Sequence, residues 1–378
     1  MGEPVLERDE VRYASLDGLR GLAAAVVLIH HCFLVSPPLA SAAQRQTEGQ
    51  VEAWVWWVTF TPLHLLWAGK EAVYVFFVLS GFVLALPFIT KSSPNWAAYI
   101  PRRLLRIYPP VWASLVIALL STLVFRRAAD PTFSWWVNLH DEKGDVLRDS
   151  VLLLGTSSLN SPLWSLQWEI VFSLLLPLFV VAAIWFRRFW VIAAMALIML
   201  IGLADLINVV GPAYLPIFGV GVLMAARRDR LHAWATKLNS RSWGLLFVAS
   251  LMLLNVHWVA PPFLMARAVA ALGGAVLVFV FIGSKLATSF GKGPAVQWLG
   301  TRSFSLYLVH EPVVMAIAFG LRITDPLLVV AIAMPASFVL AEGFFRLMER
   351  PCHRLSVIVG RFATKWAGPT QQRLVTQR

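Results

Sequence analysis

A cation and an imidazole share one apolar run near the start of the chain. The run begins Leu16-Asp17-Gly18-Leu19-Arg20-Gly21 and ends Leu28-Ile29-His30-His31. Ionisable side chains inside a membrane-grade helix are costly, so each is read first as functional. Eleven residues at about 100° each bring Arg20 and His31 onto one face to within roughly 20°. The two are then separated by about 16 Å along the axis, over half of a bilayer core. His30 falls roughly 80° off that face. One stripe therefore holds a cation for an anionic group near one leaflet and a general base near the other.

Three further groups could join this chemistry. Arg102, Arg103 and Arg106 form a dense cluster in Arg102-Arg103-Leu104-Leu105-Arg106-Ile107-Tyr108-Pro109-Pro110. Arginine's planar fork suits phosphate, so the cluster could clamp a phosphorylated donor, with Arg20 joining it. A lipid-headgroup anchor is the plainer reading. Glu169, in Trp164-Ser165-Leu166-Gln167-Trp168-Glu169, is expected roughly 8 Å inside the membrane, level with His31. A carboxylate there could fix the imidazole's tautomer and raise its basicity, or serve only as a hydrogen bond between helices. His310 and Glu311 are expected near the inner half of another span, as a structural polar contact or as part of a tunnel lining. Ser80-Gly81 is expected to let a neighbouring helix or a ligand approach closely, with helix packing the plainer reading.

The elements that must position these groups are membrane helices. The 378 residues are 58% hydrophobic and only 14% charged, against about 25% charged in soluble domains. Using ~20 apolar residues as the ruler, we read an all-α transmembrane bundle of about ten spans. They lie near 17–35, 71–90, 110–126, 164–186, 189–207, 213–226, 241–258, 263–283, 303–321 and 326–348. No cleavable leader is read, so the first run is expected to remain a span. The net charge of +12 is not read as a nucleic-acid surface, because the basic residues cluster at the ends of apolar segments. With an even number of spans and both termini cytoplasmic, about 23 of the 32 basic residues fall inside, Arg8, Arg12 and Lys91 among them. Residues 1–355 are read as one integral-membrane domain, and 356–378 as a short, basic, poorly ordered cytoplasmic tail. Cys32 and Cys352 fall near opposite faces and cannot pair, and no metal-type spacing occurs. Trp54, Trp56, Trp57, Trp135 and Trp136, in two long outer loops, read as an interfacial belt or as a stacking surface for a sugar.

These residues together resemble the membrane acyltransferase-3 family. The strongest piece is Leu16-Asp17-Gly18-Leu19-Arg20-Gly21 with ten residues between Arg20 and His31, similar to the family's arginine-x10-histidine signature. Phe76-Phe77-Val78-Leu79-Ser80-Gly81-Phe82, the Arg103-x-x-Arg106 segment, Trp164 to Glu169, Ser303-Phe304-Ser305-Leu306-Tyr307-Leu308-Val309-His310 and Glu349-Arg350-Pro351 follow in the expected order. The resemblance implies transfer of an acyl group, usually acetyl from acetyl-CoA, to a hydroxyl beyond the membrane. It implies His31 as the catalytic histidine, and Arg20, Arg103 and Arg106 in donor recognition or along the acyl path. His30 is an addition to the pattern, and Gln167-Trp168 replace smaller residues. No esterase-like C-terminal domain is read, so a stand-alone enzyme is expected.

The combined expectation is an O-acyltransferase of the bacterial inner membrane. Acyl-CoA is its donor substrate, held by Arg20, Arg102, Arg103 and Arg106. A carbohydrate or glycoconjugate is its acceptor, and His31 and Glu169 are its catalytic pair. No metal and no permanently bound cofactor are expected. A transporter or flippase of an acylated or glycan compound is the alternative, since buried ionisable groups also suit a substrate path.

Overall fold

The computed structural model describes residues 13–44, 51–90, 95–140, 144–207, 209–260, 263 and 265–366. All regular structure among them is helical. The chain opens with α1 (Ala14–Leu34), the short α2 (Pro37–Ala43) and α3 (Ala53–Thr59), a 3-10 turn at Pro62–Leu66, and α4 (Gly69–Thr90). Next come α5 (Trp96–Val124), two short pieces, α6 (Trp135–Asn138) and α7 (Val146–Val151), and α8 (Leu163–Trp185). A 3-10 turn at Phe186–Phe189 separates α8 from α9 (Trp190–Leu206). Then follow α10 (Tyr214–Ala226), α11 (Arg228–Ala235), α12 (Ser240–Val259), α13 (Ala266–Gly283) and α14 (Lys285–Gly291). The last long elements are α15 (Pro294–Leu321), α16 (Pro326–Phe344), a π-helical turn at Phe345–Glu349, and α17 (Arg350–Trp366).

Eight helical segments among the described residues are long and apolar enough to cross a membrane. One of them, Leu163–Leu206, is 44 residues long and contains both α8 and α9. The apolar α10, with 13 residues, is shorter than the others. The sequence count of about ten treats α9 and α10 as separate crossings. Arg8, Arg12, Lys91 and residues 367–378, which carry part of the charge argument, lie outside the described residues.

The helix α1 sits at the centre, with most of its length buried. Glycine makes that possible, because a Cβ on Gly21 would meet the Gly300 nitrogen of α15 at 2.5 Å. Without lipid to squeeze out, membrane helices gain from this close backbone approach, which small residues permit. The same device joins α4 to α10. A Cβ on Gly81 would overlap the Phe218 carbonyl, and one on Gly221 the Val78 carbonyl. The helix-packing reading of Ser80-Gly81 therefore holds for Gly81.

Two helices begin earlier than the apolar ruler suggests. The helix α5 starts at Trp96, capped by the Asn95 side chain, which accepts from the Ala98 N–H. Its 29 residues reach about 43 Å, well beyond a hydrocarbon core of about 30 Å. Arg102, Arg103 and Arg106 thus stand on its first turns rather than in a loop. Pro101, Pro109 and Pro110 lie inside this helix, each removing one backbone donor. The helix α15 starts at Pro294, nine residues before the expected span start at 303, a difference of about 13 Å in depth. The stretch read as a tail also differs, since α17 is helical to Trp366 and rests on α5. A Cβ on its Gly360 would collide with the Arg102 side chain, and Asn95 Nδ2 donates to Thr364 Oγ1 at 2.6 Å.

Candidate active site

The His31 end of α1 holds a buried cluster of three imidazoles and one carboxylate. His31 Nδ1 lies 2.7 Å from His310 Nε2. His310 Nδ1 lies 3.0 Å from the Leu306 carbonyl. A carbonyl only accepts, so His310 carries its proton on Nδ1 and its Nε2 is the acceptor. His31 must then donate from Nδ1, which leaves the lone pair of a neutral His31 on Nε2. That nitrogen faces Glu311 Oε2 at 3.9 Å. The His31 ring also stacks on Trp136, with centroids 5.1 Å apart and planes within 3°. Trp136 belongs to α6, which folds back over this end of α1 through a hydrogen bond from Ser134 Oγ to the Leu34 carbonyl, 2.6 Å.

Glu311 is fully buried and held from three sides. The Ser161 hydroxyl and backbone N–H both donate to it. His140 Nε2 lies 3.1 Å from its Oε1. His30, the neighbour of His31, turns elsewhere. Its Nδ1 donates to the Trp67 carbonyl at 2.8 Å and its ring stacks on Trp67. The roughly 100° between adjacent helical residues is enough to send the two imidazoles into different surroundings.

The Arg20 end is a cluster of guanidiniums and carboxylates. Arg103 ion-pairs with Glu169 and donates from Nε to Ser173 Oγ at 3.0 Å. Ser80 Oγ also donates to Glu169, at 3.3 Å. Arg20 pairs with Asp17 at 3.5 Å. Arg20 and Arg106 both lie within electrostatic reach of Glu169 and of Glu349. Glu349 sits in the π-helical turn and accepts from Ser305 Oγ at 2.5 Å and the Ser305 N–H at 3.2 Å. π-Turns interrupt α-helices most often at functional sites. Arg102 points away from this group, across Gly360 of α17.

A file of polar side chains joins the two ends. Ser161, Ser165, Glu169 and Ser173 are four residues apart, so they stack on one face at the start of α8 and along it. Ser161 meets Glu311, Ser165 Oγ lies 2.7 Å from the Tyr307 hydroxyl, and Glu169 and Ser173 meet Arg103. On α15, Ser305, Tyr307, His310 and Glu311 run the same course from Glu349 to His31.

The expected pairing of Glu169 with His31 is not formed. Ser161 is level with the His31 cluster through Glu311, and Glu169 lies two helical turns further on, about 12 Å deeper. The carboxylate beside His31 is Glu311. His310 and Glu311, expected near the inner half, reach the His31 level because α15 begins at Pro294. Of the donor group, Arg20, Arg103 and Arg106 come together and Arg102 does not. The five loop tryptophans divide: Trp136 is buried on His31, Trp135 is half-buried and donates to the Ala40 carbonyl, and Trp54, Trp56 and Trp57 are exposed. Sequence reading missed His140 and Ser161. His140 lies in a polar loop whose return to α1 no local pattern signals. Cys32 and Cys352 are both free. Among the described residues no group of His, Cys, Asp and Glu is arranged to hold a metal ion.

A cavity of about 1350 Å³ opens on another side of α1, between α1, α4, α12 and α13. Its walls include Leu19, Leu22 and Val26. Leu22 lies about 180° around the helix from His31, so this largely apolar space is separate from the polar file.

Comparison with known proteins identifies relatives over nearly the whole chain. The chain is 29% identical over 393 residues to acyltransferase MdmB of Streptomyces mycarofaciens, covering 91% of this chain and 92% of that protein. It is 24% identical over 389 residues to peptidoglycan O-acetyltransferase OatA of Listeria monocytogenes, covering 90% of this chain and 56% of that protein. No solved structure matches. Residues 13–344 match the Acyl_transf_3 family, described as an acyltransferase domain, and they contain Arg20, His31, the arginines of α5, Glu169 and Glu311. On that match the chain belongs to this family, as a multi-pass membrane acyltransferase.

Proposed function

We propose that the chain moves an acyl group, most simply acetyl, from acyl-CoA to a hydroxyl of a glycan or glycan-like acceptor on the opposite side of the bilayer. The phosphates of CoA bind at the cytoplasmic Arg20 end, where Arg103 and Arg106 face them. Glu169 and Ser173 hold the Arg103 fork in one orientation before the donor arrives. The thioester arm follows the polar file of α8 and α15 toward His31. The acceptor hydroxyl then gives its proton to His31 Nε2, and its oxygen attacks the thioester carbonyl. The carbon–sulfur bond breaks, and the proton leaves on the thiol of CoA. Positioning and a base with its lone pair correctly placed are the two contributions this requires of the protein.

The observation that carries the reading is the fixed tautomer of His31, with its free Nε2 turned toward the Glu311 carboxylate. That carboxylate stabilises an imidazolium as it forms, which favours general-base transfer over an acyl-histidine. The similarity to a peptidoglycan O-acetyltransferase supports a glycan acceptor. We place the enzyme in a bacterial inner membrane.

The test is incubation of membranes containing the protein with acetyl-CoA labelled in the acetyl group. Release of free CoA together with label in a surface glycan supports the proposal. Solute uptake with no CoA turnover would instead make the chain a transporter.

A further inference from the structure

His140 lies outside every motif that carries the family resemblance, in the segment between α6 and α7. It is almost fully buried, with 2% of its surface exposed. Its Nδ1 lies 2.8 Å from the Trp136 carbonyl. Because that carbonyl only accepts, Nδ1 carries a proton. A neutral His140 therefore has a bare lone pair on Nε2, the atom that lies 3.1 Å from Glu311 Oε1. Lone pair and carboxylate would repel at that distance. The contact needs one more proton, on His140 as imidazolium or on Glu311 as carboxylic acid. The remaining contacts of Glu311 do not supply it, since the Ser161 N–H and O–H are ordinary donors and a neutral His31 turns only a bare Nε2 toward Oε2, at 3.9 Å.

We infer that His140 is a positioning residue that shares one mobile proton with Glu311 and thereby sets the charge Glu311 presents to His31. The inference rests on the acyl-transfer reading above. When the acceptor O–H bond breaks, its proton bonds to His31 Nε2. The shared proton then resides on His140, so Glu311 faces the new imidazolium as a full carboxylate. When His31 passes its proton to the departing thiolate, the shared proton is again free to exchange between Glu311 and His140 across their hydrogen bond. No proton is gained or lost over the cycle. His140 never touches the reacting atoms and acts only through Glu311. Trp136 ties the two roles together, because it stacks on His31 and its carbonyl fixes the His140 tautomer.

Glutamine separates this role from structural support. It can donate a hydrogen bond to Glu311 but has no proton to share. The experiment compares His140→Gln, Glu311→Gln, the double variant and His31→Ala in membranes supplied with acetyl-CoA. The readouts are the CoA release rate at saturation, the half-saturating acetyl-CoA concentration and the thermal midpoint. For His140→Gln we expect the saturated rate to fall at least about tenfold, with half-saturation and thermal midpoint unchanged. The double variant should be no slower than Glu311→Gln alone, since one residue acts through the other. A His140→Gln enzyme at the native rate would overturn the inference, because a neutral donor would then suffice. Independent, multiplying losses in the double variant would overturn it as well. Native turnover in His31→Ala would overturn the acyl-transfer reading itself, whereas a dead His31→Ala beside a fully active His140→Gln would overturn the shared proton alone.

Discussion

Around Arg20, three guanidiniums and three carboxylates are gathered: Arg20, Arg103 and Arg106 against Asp17, Glu169 and Glu349. Around His31 the described charged groups are one carboxylate, Glu311, with Arg127 within electrostatic reach of it, and whatever protons three imidazoles carry. Both clusters lie on the same stripe of α1 and touch the same two helices, α8 and α15. Their difference is one of kind. Guanidiniums stay charged at any accessible pH and bind anions through a fixed fork. Imidazoles near neutrality gain and lose protons. The first cluster is built to hold charge and the second to move a proton.

Four substitutions test that division, from the largest effect to the smallest. Glu311→Gln keeps the size and one hydrogen bond but removes the counter-charge for His31. The saturated rate of CoA release should fall about 10²- to 10⁴-fold, the usual span for loss of acid–base function, with half-saturating acetyl-CoA little changed. A large rise in half-saturation would place Glu311 in binding instead. Arg103→Lys keeps the charge but loses the fork that spans Glu169 and Ser173. Half-saturation should rise about tenfold or more, each tenfold being about 1.4 kcal/mol, while the saturated rate holds. Unchanged donor dependence would remove Arg103 from the clamp. Tyr307→Phe deletes the hydroxyl that bridges Ser165 and the Pro162 carbonyl midway along the file. A net hydrogen bond is worth about 1 kcal/mol, so a severalfold rate loss is expected and an unaffected rate would argue against the file as the donor path. His30→Ala should cost stability, about 1–3 kcal/mol for the stranded Trp67 carbonyl, yet leave most of the rate. A rate collapse in this variant at temperatures where it stays folded would erase the distinction between the two histidines.

How much of this was legible beforehand differs residue by residue. The stripe of Arg20 and His31 needed only the helical repeat, and the structure keeps them on one helix with different clusters at each end. Arg103 and Arg106 were legible as dense charge at a span's edge. The carboxylate partner was misassigned because hydropathy marks where a helix becomes apolar, not where it starts. Pro294 to Arg302 is too polar to count as membrane, yet it is the first part of α15, and those nine residues shift His310 and Glu311 to the level of His31. Glu169 was misplaced for the complementary reason, since depth was counted from a span edge and the level of His31 is set by Ser161. His140 and Ser161 were not legible at all, and Trp136 was legible only as an interfacial or sugar-stacking ring, not as the partner of His31. They reach the site through the return of a loop onto α1, a tertiary event with no periodicity to announce it.

The paired comparison of His31→Ala and His30→Ala, with transfer of labelled acetyl from acetyl-CoA as the readout, tests the central claim most directly. The account predicts that His31→Ala inserts in the membrane and binds donor normally but transfers at least about 10²-fold more slowly, while His30→Ala transfers at a rate close to the native one. Full transfer by His31→Ala, or an inactive but folded His30→Ala beside an active His31→Ala, would contradict it.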